Sequence, residues 1–114
     1  MDGTRLQKVS RLIQKDISEI IQLESNNLFE GAMITVTKVK ISADLSIARI
    51  NVSIFPLRGK TVDEIFKLLI EKKDYIRMKL ANKVRNQLRV IPNISFHIDD
   101  SLDYIENIEK LLKE

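Results

Sequence analysis

The sequence has no cysteine, no tryptophan, a single histidine, three glycines and two prolines among its 114 residues. Without cysteine the chain can form neither a disulfide framework nor a thiolate metal site, which is compatible with a reducing compartment. Gly3, Gly31 and Gly59 are too scattered to form a phosphate-binding loop or a dinucleotide-binding fingerprint. A nucleophilic catalytic site needs a nucleophile and a base. This sequence offers one histidine and no cysteine thiol, which makes such a site improbable. We therefore predict a protein that is not an enzyme, with no cofactor, no catalytic residue and no metal site.

The sequence also lacks a long apolar run. No stretch approaches the roughly 18 apolar residues that a membrane-spanning helix requires, and the N-terminus resembles neither a signal peptide nor a transit peptide. We expect a cytoplasmic protein without membrane contact. A length of 114 residues is typical of one domain, so we predict a single domain over residues 1–114 that acts as a monomer.

Charge is unevenly distributed along the chain. From Gly31 to Pro92 there are 13 lysines and arginines against 5 acidic residues, whereas residues 93–114 carry 2 against 6. A basic middle section suits a phosphate backbone, because each neutralised phosphate releases condensed counterions. The same cations could instead serve only to keep the protein soluble, and composition alone does not decide between the two readings.

The first predicted element is a helix. Thr4 and Gln7 have the spacing of a capping box, and apolar residues follow at helical intervals. These are Leu6, Val9, Ile13, Ile17 and Ile20. The helix should end near Ser25–Asn27, where short polar side chains favour a turn. Four cations form a stripe on its solvent face, either an electrostatic footprint or a solvated surface; they are Arg5, Lys8, Arg11 and Lys15.

A β-hairpin is predicted next, from MITVTKVKI, a turn at Ser42–Asp44, and LSIARINVSIF. In the second strand alternate residues are apolar from Ala48 to Ile54, which indicates one buried face. In the first strand the apolar positions change parity between Val36 and Val39. A β-bulge near Thr37–Lys38 would bring both halves to the same face.

Two further helical segments and a third strand complete the pattern. Thr61 and Glu64 form a second capping box, and the apolar stripe that follows runs to Leu88 with an interruption at the polar run Glu71–Asp74. Pro92 ends the helix. Alternating Ile94, Phe96 and Ile98 then predict a strand with these side chains inward. A short acidic helix should close the chain between residues 102 and 112, giving an α+β fold of two layers with the helices on one face of a three-stranded sheet.

Few other residues suggest chemistry. His97 lies on the polar face of the third strand, where a surface histidine is a better interpretation than a general base or a ligand. Asp99, Asp100 and Ser101 suit a turn and a helix cap better than a metal site. The aromatic residues are placed mostly where packing explains them, so we expect any RNA contact to rely on shape and phosphates rather than on base stacking.

Several segments together resemble the ribosome-binding factor A family. They are TVTKVKISADLSIARINVSIF, the YIR that opens a helix ending in LRVIPNISFHIDDS, and the trailing YIENIEKLL. The resemblance covers residues 4–112. It implies a KH-like type II fold, α-β-β-α-kink-α-β, that lacks the GxxG loop of other KH domains. It further implies binding to the free small (30S) ribosomal subunit and its rRNA, assistance in processing the 5′ end of 16S rRNA, support of growth in the cold, and release aided by a ribosome-associated GTPase.

Two features depart from the family pattern. The helix break usually carries alanine or glycine, and this sequence has Lys72-Lys73-Asp74 at the corresponding place. The helix before the third strand is also predicted to run about two residues further, through Asn86-Gln87.

The predicted function is that of a non-catalytic ribosome assembly factor whose cations dock on folded rRNA. The candidate RNA-binding residues are Arg5, Lys8, Arg11, Lys15, Lys72, Lys73, Arg77, Lys79, Lys83, Arg85 and Arg89. One alternative is a small protein-interaction module that uses the acidic C-terminal helix and exposed apolar residues, with no RNA contact. A compact nuclease or other enzyme is a third hypothesis, and it would require metal-dependent turnover.

Overall fold

A long amphipathic helix opens the structure, a computed structural model that describes residues 2–99, with side chains described from Arg5 onward. This helix, α1, spans Asp2–Leu28 and buries Val9, Ile13, Ile17 and Ile20. The predicted cap at Thr4 is wrong, because the helix already begins at Asp2 and Thr4 lies inside it.

The end of α1 is fixed by backbone hydrogen bonds to one carbonyl. Ser25 O accepts from Phe29 N at 3.0 Å and from Gly31 N at 2.9 Å. Gly31 has φ = +73°, a left-handed conformation that glycine adopts without steric cost. The chain thereby turns from the helix into the first strand.

The hairpin has the predicted strands and the predicted bulge. Strand β1 spans Met33–Ile41 and strand β2 spans Ile47–Phe55, paired antiparallel. Val36 is opposite Val52, whereas Lys38 is opposite Asn51, so Thr37 is the extra residue. Ile34 and Val36 are at even positions, and Val39 and Ile41 are at odd positions. Because of the bulge, all four side chains face the helices, as the sequence pattern predicted.

The second helical segment is broken where the polar run predicted. Helix α2 spans Val62–Glu71 and begins with a capping box, in which Thr61 Oγ1 accepts from Glu64 N and Thr61 N donates to Glu64 Oε1, both at 3.2 Å. Helix α3 spans Lys73–Val84. Lys72 lies between them with φ −96° and ψ 9°, outside the α-helical region. The break therefore needs neither glycine nor proline.

The predicted end of α3 near Leu88 is wrong. The helix ends at Val84, whose carbonyl accepts from both Gln87 N at 2.7 Å and Leu88 N at 2.8 Å. Leu88 keeps its place against the core but belongs to the loop. An earlier end is required because residues 85–92 must carry the chain from α3 to the start of the third strand.

The third strand, β3, spans Asn93–Ile98 and is parallel to β2, giving the strand order β1-β2-β3. Ile94 and Phe96 are buried as predicted, but Ile98, at the last position of this edge strand, is 37% exposed, so the prediction of a buried side chain there is wrong. The helices cover one face of the sheet and share with it a single apolar core. This confirms the predicted α+β, KH-like type II order, while the predicted helix at 102–112 lies outside the described residues.

Candidate nucleic-acid interface

Helices α1 and α3 lie side by side and run in opposite directions. Tyr75, near the start of α3, donates its hydroxyl to Glu24, near the end of α1, over 3.4 Å. Further along, Lys83 Nζ lies 3.0 Å from Glu19 Oε2. Beyond the end of α3, the loop at Arg89 reaches Arg5 and Lys8 in the first turns of α1. We call this line of contacts the α1–α3 seam.

A cleft opens at the end of the seam where α1 begins. Its volume is about 710 Å³, and we call it the basic cleft. It is lined by Arg5, Lys8, Val9, Leu45, Gln87, Leu88, Arg89 and Val90. Three parts of the chain that are distant in sequence meet here, namely α1, the hairpin turn and the loop that leads to β3. The walls combine three cations with aliphatic side chains.

The cations of the basic cleft form no ion pair among the side chains that the structure describes. Arg5, Lys8 and Arg89 are exposed, and none of them pairs with an acidic side chain of residues 5–99. Aliphatic surface accompanies them, since Val90 is 55% exposed. A cleft of this composition can bind a phosphate through its rim and an apolar or planar group against its wall.

Leu45 enters the basic cleft at some conformational cost. Its φ is +62°, which is uncommon for a residue other than glycine, asparagine or aspartate. The turn that holds it is tightly bonded, because Leu45 N donates to Ser42 O and the Asp44 carboxylate accepts from both Ser42 Oγ and Ser46 Oγ. These hydrogen bonds lower the pKa of Asp44 to about 2, the bond from Ser46 having the largest effect. Sequence reasoning identified this turn but missed its leucine, an apolar residue in a polar turn.

Two further predicted cations lie along the seam, and both have local partners. Lys83 pairs with Glu19, and its hydrogen bond and charge lower the pKa of that carboxyl. Lys79 Nζ lies 5.5 Å from the centre of the Tyr75 ring, within cation–π range. The charges of Lys79 and Lys83 are thus partly compensated by neighbouring side chains. Among the described side chains, the cations of the basic cleft have no such ion pair.

Arg77, another of the predicted cations, is bonded to the loop before β3. It is half-buried, and its guanidinium donates through Nη2 to Ile91 O at 2.8 Å and through Nε to Pro92 O at 3.1 Å. Two residues along a helix correspond to about 200° of rotation, so Arg77 is directed away from Lys79 and the seam. Through these two hydrogen bonds Arg77 holds the loop before β3 against α3.

The remaining predicted cations do not join the basic cleft. Lys72 and Lys73 are half-buried at the α2–α3 break, at the other end of α3 from Arg89. Arg85 is exposed just after α3, and Lys15 is exposed on α1. Arg11 lies over a shallow groove with Lys38 and Lys40 of β1. The eleven predicted residues therefore occupy several surfaces, and the structure brings only Arg5, Lys8 and Arg89 into one cleft.

His97 is half-buried and lies on the sheet face away from the helices, with its Nε2 2.6 Å from Ser95 Oγ. Within the described part of the chain no three histidine, cysteine or acidic side chains group as metal ligands. No helix within residues 2–99 has the length and apolar character needed to cross a membrane.

Comparison with known sequences decides the family. The sequence model described as ribosome-binding factor A matches residues 5–112. This chain belongs to the ribosome-binding factor A family. Ribosome-binding factor A of Christiangramia forsetii is 44% identical over 116 residues, covering 98% of this chain and 85% of that protein. The Flavobacterium psychrophilum protein of the same name is 40% identical over 113 residues, covering 98% and 85%. The resemblance noted from the sequence is thereby confirmed.

Solved structures of ribosome-binding factor A share this fold. The crystal structure of the Thermus thermophilus protein aligns with a TM-score of 0.68 at 19% identity, covering 82% of this chain and 94% of that one. A homology model of Thermus thermophilus ribosome-binding factor A, fitted into a cryo-EM map of a 30S complex, aligns with a TM-score of 0.60 at 24% identity, covering 78% and 89%. At these identities the likeness concerns the fold.

Proposed function

We propose that this protein binds the small (30S) ribosomal subunit and contacts its rRNA through the basic cleft, with Lys79 and Lys83 of the seam contributing less. Membership of the ribosome-binding factor A family supports the proposal, as does the Thermus relative that was fitted into a 30S complex. The observation that carries it is the convergence of Arg5 and Lys8 of α1 with Arg89 of the loop before β3 around one cleft, where none of them pairs with an acid among the described side chains.

The chemistry of the cleft favours a phosphate backbone with an adjacent unpaired nucleotide. Arginine presents a planar fork that matches phosphate oxygens, and lysine adds a compact point charge. The aliphatic wall formed by Leu45, Leu88 and Val90 offers a dry surface for a base or a sugar. The cleft itself is built from cations, aliphatic side chains and one amide, so we assign binding and no catalytic step to it.

The action that follows from such binding is a shift between RNA conformations. A protein favours one conformation only to the extent that it binds that conformation more tightly than the other. We propose that this protein prefers the RNA of an immature subunit and so assists processing of the 5′ end of 16S rRNA. Release with the help of a ribosome-associated GTPase, support of growth in the cold, a cytoplasmic location, and action as a monomeric single domain over residues 1–114 complete the proposal.

The proposal is tested by measuring how affinity depends on salt. Purified small subunits are titrated with the wild-type protein and with the Lys8→Gln/Arg89→Gln variant between about 50 and 200 mM salt. Loss of two phosphate contacts should weaken binding roughly tenfold and reduce the slope of log affinity against log salt by about 2. A variant that binds as tightly as wild type would contradict the role of the cleft.

A matched control comes from the other side of the helical layer. Lys60→Gln/Lys67→Gln removes the same formal charge from exposed positions in and before α2. Lys60 lies 3.9 Å from Glu64, a weak exposed pair, and the variant should bind almost as the wild type does. The same titration separates the alternative, a protein-interaction module without RNA contact. An apolar interface should bind with nearly the same affinity at every salt concentration. The acidic C-terminal helix invoked for that alternative lies outside the described residues.

A further inference from the structure

The face of the sheet that the helices leave open has a composition of its own. Strand alternation places one set of residues of β1, β2 and β3 away from the core. This set includes small polar residues at its centre and exposed apolar residues at the strand ends. The small polar residues include Thr35, Asn51, Ser53 and Ser95, and the apolar ones are Met33, Ile47 and Phe55. Three are cations, namely Lys38, Lys40 and Arg49, and all three are exposed. We call these three residues the sheet-face cations.

Two of the sheet-face cations are direct neighbours across strands. Lys40 of β1 is the register partner of Arg49 of β2, and Lys38 is two pairs further along, opposite Asn51. Like charges directly opposite each other on a sheet destabilise it. Arg49 has Ser95 of β3 on its other side, so β3 supplies no acid at that position.

Two acids at the ends of these strands, Asp44 and Asp99, accept hydrogen bonds from hydroxyl groups. Asp44, in the turn that joins β1 to β2, accepts hydrogen bonds from Ser42 and Ser46. Asp99, just after β3, accepts one from Thr37 at the bulge. Among the side chains of residues 5–99, those of the sheet-face cations form neither an ion pair nor a hydrogen bond. The positive charge of this face is therefore not neutralised by the part of the chain that the structure describes.

The sheet-face cations are continuous with the helical layer at one edge. Arg11 of α1 shares a shallow groove with Lys38 and Lys40, beside the outer edge of β1. Basic surface thus extends from the exposed side of α1 around β1 to the centre of the sheet. The basic cleft lies at a different edge, between α1 and the loop before β3.

We propose that the sheet-face cations, with Arg11, form a second binding surface for the sugar–phosphate backbone of RNA. The inference rests on the proposed function, since it supplies a second contact on the same partner. The residues beside Arg49 and Lys38, Ser95 and Asn51, are small and polar, and the exposed Phe55 lies at the far end of β2 from Arg49, so contact with the RNA backbone is favoured over base stacking. With a cleft on the helical side and cations on the open side of the sheet, the protein lies between two RNA segments.

The test compares Lys40→Gln/Arg49→Gln with the wild type, with the cleft variant Lys8→Gln/Arg89→Gln, and with the control Lys60→Gln/Lys67→Gln, all on purified small subunits. We expect the sheet-face variant to bind roughly tenfold more weakly, with the salt slope reduced by about 2. Combining the sheet-face and cleft substitutions should multiply the two losses, because the sites lie on separate surfaces. Since the substitutions remove a like-charge pair, the variant should unfold at the same temperature as wild type or higher. If the double variant is poorly folded, Arg49→Gln alone replaces it in the test. Its salt slope should then be reduced by half as much as that expected for the double variant.

Three results would overturn the inference. If the sheet-face variant binds like the control while the cleft variant is weakened, this second surface does not exist and the proposed function stands. If the variant binds more tightly than wild type, these cations face something other than RNA, such as the acidic residues of 100–114 or an acidic protein. If the wild type itself fails to bind small subunits, the proposed function fails and takes this inference with it.

Discussion

Lys83 and Glu19, 64 positions apart in the chain, meet at 3.0 Å across the seam between α3 and α1. Because the ion pair neutralises Lys83, that cation is less available to a phosphate than Lys8, which has no acidic partner within the described residues. Two lysines on the same side of the protein can therefore differ in how available their charge is to an anion.

Substituting the two members of this ion pair should change the affinity for small subunits in opposite directions. Glu19→Gln should strengthen binding to small subunits by a few-fold and steepen the salt slope, because it frees Lys83 and removes a negative charge from the seam. Lys83→Gln should weaken binding less than Lys8→Gln does. Equilibrium titration of the three variants at one salt concentration checks the order. Weaker binding by Glu19→Gln would show that the seam does not face RNA.

Arg77 is predicted to matter for stability rather than for binding. Its guanidinium donates to the carbonyls of Ile91 and Pro92, which set the entry to β3. Replacement by glutamine should lower the free energy of unfolding by about 1–3 kcal/mol, because two charge-assisted hydrogen bonds are lost. Chemical denaturation measures this loss, and Lys79→Gln, two residues along the same helix, is the control. An Arg77→Gln variant as stable as the control but deficient in subunit binding would restore the original prediction of an RNA contact.

Because Thr37 is the extra residue of the bulge, its deletion should destabilise the protein less than deletion of another residue of β1. Removing Thr37 converts the pairing of β1 with β2 into a regular ladder and keeps Ile34, Val36, Val39 and Ile41 on the buried face. Removing Thr35 has the opposite effect, since one buried β-branched residue must leave the core. Thermal unfolding should show a small loss for the first deletion and a loss of roughly 2 kcal/mol or more for the second. Equal losses would mean that the bulge does not set the register.

Asp44 predicts a specific dependence of stability on pH. Its pKa is lowered to about 2, from an ordinary value of 3.8, by hydrogen bonds from Ser46 and Ser42. A lowered pKa means that the folded state favours the ionised carboxylate, so the stabilisation is complete above the ordinary value and is lost as the pH falls toward 2. The stability difference between wild type and Asp44→Asn should therefore shrink between about pH 4 and pH 2. A constant difference over that range would contradict the hydrogen-bonded turn.

Local patterns were sufficient to predict most of the fold. The capping box at Thr61, the break at Lys72 and the bulge at Thr37 each follow from interactions between neighbouring residues or from a change of period. Local patterns did not predict the end of α3 or the exposure of Ile98. The end of α3 depends on the path that the chain takes to β3, and the exposure of Ile98 depends on how far the helices extend over the sheet.

The grouping of the cations could not be predicted from periodicity alone. A helical period shows which face of α1 carries Lys8, but not that the loop residue Arg89 will come to lie beside it. The same limit explains Arg77, whose partners Ile91 and Pro92 become neighbours only after the chain turns back. Lys38, Lys40 and Arg49 could be assigned to the open face from parity, yet only the assembled sheet shows that no acid of the described residues pairs with them.

The most direct test of the central claim places a photoreactive amino acid at Gln87, an exposed residue that lines the basic cleft. The protein is irradiated with purified small subunits, and the same substitution at Lys67 on α2 serves as the reference. We predict that the Gln87 position crosslinks to 16S rRNA and that the Lys67 position does so far less. Crosslinks from Gln87 to ribosomal proteins alone, or equal RNA crosslinking from both positions, would contradict the claim that the cleft binds rRNA.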